Sequence, residues 1–421
     1  MGRVDGGQIL RHGAFALVVG VAGAAASLVL CLVVNAAYGL VCAHSWLLYL
    51  LPVLGAASLA LYQVLKLPLD TTTHTVVDDI RANRPISPWL APGILLGTAL
   101  SILGGASVGK EAGALHMGAS LGDLIGRPFK LRSVDRRDQG RPGCEAAHSY
   151  AASMGMAATF AALFFAPLGS AMFVIELTRY KRQVVKHVPS MLLACFVAYL
   201  IASTVGIGDI IPKVAIPAFS WRMVGECLTI AVVCAVGGTL YIKAIDGLQR
   251  ATKRISGAYY LWVVLGGVIM IGLVTLCGWQ AYEGTGGNQL ALALQGRQET
   301  WGFAIKALLT ILCLGLWFRG GEIMPTFAVG ALLGATCTVM TGGEAGYSAA
   351  IGLVAFFAAM SRCPWAAFLM GCEIFGWYAA PLLALAAIVA YTFGGEVGYY
   401  GRGATSFLKE AWERRRSLKK P

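Results

Sequence analysis

Charge is what this 421-residue chain has least of: Asp, Glu, Lys and Arg together make up 13% of it, about half of soluble usage. With 57% hydrophobic residues and a mean hydropathy of +0.69, that shortage excludes a water-soluble globular fold and leaves an integral membrane protein. Metal and catalytic signatures are also scarce. The six histidines lie far apart with no metal-ligand spacing. Asp78 and Asp79 are adjacent, so a helix would point them apart, and they fall in a basic connection. An enzyme is not expected. The 11 cysteines are odd in number, contain no CxxC pair and sit mostly in apolar runs, where free Cys behaves as a small hydrophobe. Neither a disulfide framework nor a zinc site follows, and no cofactor is implied.

What the chain does have is long apolar runs. Ala14 to Ala37, Trp46 to Val64, Val188 to Val205, Tyr259 to Cys277 and Trp377 to Phe393 each approach or exceed the roughly 20 residues of a spanning helix. The first is longer than a signal-peptide core and is read as a retained helix. A net charge of +12 could suggest nucleic acid, but the basic residues sit in short connections and at the ends. They fit the positive-inside rule better. Arg81 to Arg84, Arg127 to Arg141, Arg179 to Lys186, Arg250 to Arg254 and the tail "RRRSLKK" are placed in the cytoplasm, while the Lys- and Arg-poor connections near 43–45, 206–219 and 279–296 go outside. The expected organisation is a cytoplasmic N-terminus over 1–12, a membrane half over 13–205, an extracytoplasmic connector over 206–221, a second membrane half over 222–393, and a pathway segment with a basic cytoplasmic tail over 394–421. Both termini face the cytoplasm of a multi-pass protein in the inner (plasma) membrane bilayer.

Internal repetition is visible. "EAGALHMGASLG" (Glu111 to Gly122) precedes "APLGSAMFVIE", with Pro167 nine residues before Glu176. The second half answers with "EIMPTFAVGALLG" (Glu322 to Gly334) and "CPWAAFLMGCE", with Pro364 nine residues before Glu373. One insertion of 15 residues, about the length of the charged loop near 130–145, accounts for the different spacing. Repeated halves with interrupted apolar segments point to a transporter site where broken helices meet near the bilayer midplane.

A helix that begins inside the membrane aims free N–H groups and its positive dipole end at whatever lies ahead, which makes an anion site. Three stretches qualify: "SVGKEAGAL" (107–115), "FRGGEIMPTF" (318–327) and the hydroxyl-rich "DTTTHTVVDDI" (70–80). In the last, Thr71, Thr72, Thr73 and Thr75 are either anion donors or an N-cap with a polar connector. Glu111 and Glu322 sit where the other two helices would start, and an ionisable group at such a place is a functional candidate. A carboxylate there occupies the anion's place when ionised and leaves when protonated. Glu176 and Glu373, each ending a helix after proline, are read as structural.

At these residues the sequence resembles the CLC family of chloride channels and anion/proton antiporters. "GKEAGALHMG" is similar to that family's gating-glutamate signature and "GGEIMP" to its second signature. The two Pro-to-Glu helices match in order, and "GGEVGYY" falls where the family has its anion-coordinating tyrosine. The resemblance implies an all-α membrane fold of tilted, re-entrant and broken helices in two inverted halves, forming a homodimer with one anion pathway per subunit. Glu111 and Glu322 then gate and carry protons, and anion contacts come from Thr71, Thr72, Gly109, Lys110, Ala112, Ile323, Met324 and Tyr399, with Tyr400 as neighbour. The partners implied are chloride or fluoride ions, protons and lipid, with no nucleic acid. The chain ends soon after the last apolar run, so paired nucleotide-binding modules and regulation by nucleotide are not expected. Departures are informative: Ile323 replaces a phenylalanine, and Leu177 stands where antiporters commonly carry an inner glutamate. Together with Glu322 in "GGE" they are similar to the fluoride-exporting branch, although "TTTHT" replaces that branch's Asn-containing motif. A passive chloride channel of the same family is the alternative.

Overall fold

The computed structural model describes residues 6–131, 147–206, 211–214, 220–338 and 342–403. Most of the basic segment 127–141, much of the 206–219 connection and the tail beyond Gly403 therefore lie outside the described residues. The first half contains α1 (Gly6–Ala43), α2 (Leu51–Val64), α3 (Thr73–Arg81), α4 (Leu90–Leu103), α5 (Glu111–Gly126), α6 (His148–Phe164), α7 (Pro167–Leu177), the single turn α8 (Arg182–Val185) and α9 (Val188–Val205). The second contains α10 (Trp221–Ile255), α11 (Tyr259–Cys277), α12 (Gly287–Leu294), α13 (Gly302–Gly315), α14 (Ile323–Thr336), α15 (Ala345–Ser361), α16 (Pro364–Phe375) and α17 (Ala380–Phe393). A two-residue hairpin, Val397–Gly398 with Gly401–Arg402, closes the described chain.

Helix length sorts these elements by job. Among the described residues five stretches are long and apolar enough to cross a membrane: Leu10–Ala43, Ser45–Val64, Val188–Val205, Trp221–Ile255 and Tyr259–Cys277. With 38 residues, α1 is about 57 Å long, well over the ~30 Å hydrocarbon thickness, so it must tilt. The 35-residue α10 lies outside the sequence-expected runs because its last turns, with Lys243, Asp246, Arg250, Lys253 and Arg254, lower its mean hydropathy. By contrast α5 (16 residues) and α14 (14 residues) reach only about 24 and 21 Å. They end inside the layer, and such ends are tolerated only where protein or a wet cavity surrounds them.

Small residues hold the short helices together. A methyl group added at Gly118 or Gly122 of α5 would overlap the backbone of α6 at Gly155 and Ala151, and one added at Gly330 or Gly334 of α14 would overlap α15 at Gly352 and Ser348. Close approach through small residues is how apolar helices associate where lipid competes equally for Leu and Ile. Helices α6 and α15 are buried along nearly their whole length, which puts α5 and α14 at the centre of the molecule.

Equivalent elements of the two halves meet each other. Gly109 donates to the Gly321 carbonyl at 2.6 Å and Gly321 to the Gly109 carbonyl at 2.5 Å, an antiparallel bridge between the approaches to α5 and α14. Glu373 on α16 accepts from the Leu168 and Gly169 amides of α7 at 2.9 and 2.7 Å. Glu176 on α7 accepts from the Trp365 and Ala366 amides of α16 at 3.4 and 2.8 Å. Each Pro-to-Glu helix thus caps the other, a carboxylate satisfying orphan N–H groups at a helix start. Phe165 and Arg362, one before each proline helix, both take left-handed backbone (φ 54° and 59°). Reciprocal contacts between equivalent parts are what an inverted two-fold arrangement requires, and the structural reading of Glu176 and Glu373 agrees with this geometry.

Candidate functional site

The two helix openings lie back to back across the Gly109–Gly321 bridge. Glu111 is the first residue of α5 and is fully buried. Its carboxylate folds back over the bridge, resting against Gly109, and a β-carbon at Gly321 would stand 2.8 Å from its Oε2. Glycine is required on both sides for that reason. Lys110 precedes it at the N-cap and donates to Asn35 on α1 at 3.1 Å. The orphan amides of the first turn, including Ala112, face the same opening by helix geometry.

Glu322 takes the N-cap of α14. The register follows the Gly118 to Gly330 match of the repeat, so the two glutamates are not equivalent positions. The bridge pairs Gly109 with Gly321, and the same offset carries Gly118 to Gly330 and Gly122 to Gly334. Lys110 is therefore the counterpart of Glu322, and Glu111 that of Ile323. Tyr400 donates to Glu322 Oε1 at 2.6 Å and Thr73 to Oε2 at 3.3 Å. Both oxygens are held, and the carboxylate is 1% exposed. Because Pro325 has no N–H, the first turn of α14 offers the amides of Ile323 and Met324 alone.

Of the threonine run, Thr73 is the residue that reaches Glu322. Thr72 caps α3: its hydroxyl accepts from the Thr75 amide at 3.4 Å, while the Thr75 hydroxyl accepts from the Thr72 amide at 2.9 Å. Thr71 donates to the Pro68 carbonyl at 2.7 Å. The capping alternative thus describes Thr72, although Thr71, Thr72 and Thr73 all line a small cavity of about 30 Å³ beside Gly320 and Tyr399. Tyr399 also lines a larger adjoining cavity of about 350 Å³ with Asp70, His74, Gln249 and Lys253. Of the two neighbouring tyrosines, then, Tyr399 faces open space and Tyr400 binds Glu322. Asp78 and Asp79 belong to α3 and form ion pairs with Arg81 and Arg84.

Three buried basic residues near the helix openings, Lys306, Arg319 and His116, escaped the sequence reading. Lys306 of α13 is wholly buried and donates to Ser107 Oγ and to the Tyr282 and Gly284 carbonyls at 2.9, 2.9 and 2.7 Å. It lies within electrostatic reach of Glu283 and Glu111. Glu283 lines a cavity of about 520 Å³ with Tyr38, Tyr49 and Asn288 on that side, and burial pushes its carboxyl up to about 7 against the pull of Lys306. Arg319 and His116 line the 30 Å³ cavity. The signal for all three was available: a charged or imidazole side chain inside an apolar stretch is functional by default.

A buried crossing of two half-membrane helix ends, two carboxylates at their starts and polar cavities on either side define a membrane transport protein. The chain matches the voltage gated chloride channel family over residues 73–395. It is 31% identical over 375 residues to a chloride/fluoride channel protein of Pseudomonas syringae pv. tomato, covering 85% of this chain and 78% of that one. The chain belongs to the voltage gated chloride channel (CLC) family, whose members transport anions. Solved structures share the fold: a CLC-type fluoride/proton antiporter (TM-score 0.85, 22% identity, 94% of this chain and 98% of that one) and a slow cyanobacterial chloride/proton antiporter (TM-score 0.77, 20% identity, 97% and 99%).

Proposed function

We propose that the protein is a proton-coupled antiporter of small inorganic anions, with fluoride favoured over chloride, working in the plasma membrane as a homodimer with one pathway per subunit and both termini cytoplasmic. The observation that carries this reading is the pair of carboxylates at the crossed helix starts, one laid over bare glycine backbone and the other clamped by two hydroxyls. An anion moving between the openings meets Glu111 in its own place. The carboxylate vacates that place by taking a proton, so each anion step is tied to a proton step. Gly109, Lys110, Ala112, Ile323, Met324, Thr71, Thr72 and Tyr399 surround the route, and Glu322 sets which anion passes.

Fluoride is favoured because Glu322, the carboxylate held by Tyr400 and Thr73, distinguishes this opening from the glycine-backed one at α5, and because of the relatives the chain is similar to. The 31% identity to a chloride/fluoride channel protein and the fold shared with a fluoride/proton antiporter support this choice. No enzymatic step is assigned. Ser120, centred in the Gly118 to Gly122 run with the spacing of a nucleophile turn, sits inside α5 and donates to the Ser87 carbonyl at 2.8 Å; the strand-to-helix turn such a nucleophile needs is not its setting. Purified protein in liposomes, with efflux followed by ion-selective electrodes, tests the anion. Fluoride efflux at least tenfold faster than chloride is expected, and equal flux at saturating chloride removes fluoride from the proposal.

A further inference from the structure

We propose that Lys306 is a positioning residue of the gate: its ammonium, set on one loop with Glu283 and Glu111, holds the Glu111 carboxylate in its ionised, pathway-filling form and passes on to it the charge state of Glu283. This role rests on the reading of Glu111 as the protonatable gate and adds to it two residues outside the helix openings.

The hydrogen bonds around Lys306 fix its charge. Thr310 donates to the Lys306 carbonyl at 2.9 Å, so in the 2.9 Å contact between the Ser107 and Thr310 hydroxyls the proton comes from Ser107. Ser107 then has no proton left for the lysine and accepts from it at 2.9 Å, as do the Tyr282 and Gly284 carbonyls at 2.9 and 2.7 Å. Three accepting oxygens need three N–H groups, and only the ammonium carries three. The side chain is therefore a cation although it is wholly buried, and a buried cation is kept by such satisfied donors together with nearby carboxylates.

The three charges sit along the loop between α4 and α5. Glu283 Oε2 stands 2.8 Å from where a β-carbon of Gly105 would be, Lys306 meets Ser107, and Glu111 folds over Gly109. Successive contacts are two residues apart, at most about 7 Å of chain, and the ammonium interacts electrostatically with both carboxylates. The other titratable groups packed around Lys306 are Cys313 of α13, Tyr241 of α10 beside Thr310, and Tyr282, whose hydroxyl donates to Glu299 at 2.8 Å. Tyr38 of α1 acts on Glu283. Around Glu111 stand Lys110, bonded to Asn35 of α1, and Glu322 across the glycine bridge, while α4 and the last turn of α6 bring no titratable side chain. A positive charge beside a carboxylate favours its ionised form, which at Glu111 is the form that fills the anion's place. Glu283 opens on the 520 Å³ cavity, and burial pushes its carboxyl up to about 7, so its charge changes near neutral pH. Protonated, it leaves the ammonium to act on Glu111 alone; ionised, it shares the ammonium with Glu111.

The measurement is fluoride and chloride efflux from liposomes holding the purified full chain, read against pH. Wild-type flux is expected to fall as pH rises and Glu111 ionises. Lys306→Met removes the cation and should move the midpoint of that fall up by about one pH unit or more. Glu283→Gln leaves the cation unshared and should move the midpoint down. A lysine that only ties the loop to the 282–284 turn predicts a lower melting temperature in Lys306→Met with the midpoint unmoved. Should Lys306→Met not fold, Glu283→Gln decides alone. A midpoint unmoved, or displaced the other way, in either variant that folds overturns the role of Lys306; wild-type flux that depends on pH and loses that dependence in Glu111→Ala then leaves the gate reading intact. Wild-type flux without pH dependence, or dependence that persists in Glu111→Ala, overturns both.

Discussion

The two helix openings are built to one plan and differ in a single residue's placement. At α5 the N-cap is Lys110 and the carboxylate comes one position later, whereas at α14 the carboxylate is the N-cap itself and Ile323 follows. That offset turns Glu111 toward the glycine bridge and Glu322 toward Tyr400 and Thr73. The lesson is that one inverted repeat, with its glutamate placed one residue earlier in the second copy, yields a carboxylate packed on bare backbone and another fixed by two donors. On the proposed mechanism the first moves and the second does not.

The largest expected break in this comparison comes at Glu111. In Glu111→Ala the route is open at every pH, so anion flux should lose its pH dependence, while Glu322 variants keep it; flux in liposomes across roughly pH 5 to 8 checks both. Next is selectivity. Glu322→Ala should lower the fluoride-over-chloride flux ratio at least tenfold, and Tyr400→Phe should move it the same way by less, since it removes one hydrogen bond to a charged group worth about 1.5–3 kcal/mol. An unchanged ratio in Glu322→Ala would detach Glu322 from selection.

The inverted plan itself is tested by Gly155→Ala and Gly352→Ala. Each added methyl meets the facing helix at an equivalent crossing, so each should destabilise by about 1–3 kcal/mol or more, and by similar amounts, in thermal unfolding. A loss confined to one half would deny that the crossings are equivalent. The smallest effect belongs to Glu283, between α11 and α12. Its carboxyl rises from 4.5 to about 7 through burial, so the folded state holds that proton more tightly than the unfolded chain. Stability from this group is complete below pH 4.5 and declines as pH rises toward about 7. Glu283→Gln should flatten that part of the melting-temperature profile.

Much of this was legible in the sequence because membranes impose simple rules. Apolar run length marked four of the five long spans among the described residues, and the Pro-to-Glu repeats marked two related halves, whose inversion followed only from the family resemblance. The span at Trp221–Ile255 was obscured by its charged last turns. In the site, Glu111 and Glu322 announced themselves as carboxylates in glycine-rich apolar surroundings. Their register was implicit in the Gly118 to Gly330 match, and the Gly109–Gly321 bridge shows it directly, with Lys110 the counterpart of Glu322. Thr73 could not be told from Thr71 and Thr72 without the capping geometry of α3. Arg319 and His116 reach one cavity from different halves of the chain, a juxtaposition that no local pattern records.

On the proposed mechanism Glu111 ties proton movement to anion movement. Liposomes loaded with fluoride and placed in fluoride-free buffer, with the membrane potential clamped, should take up protons against a proton gradient when they contain the wild-type protein and take up none with Glu111→Gln. Fluoride efflux from the wild type without proton uptake, or proton uptake that persists in Glu111→Gln, would contradict it.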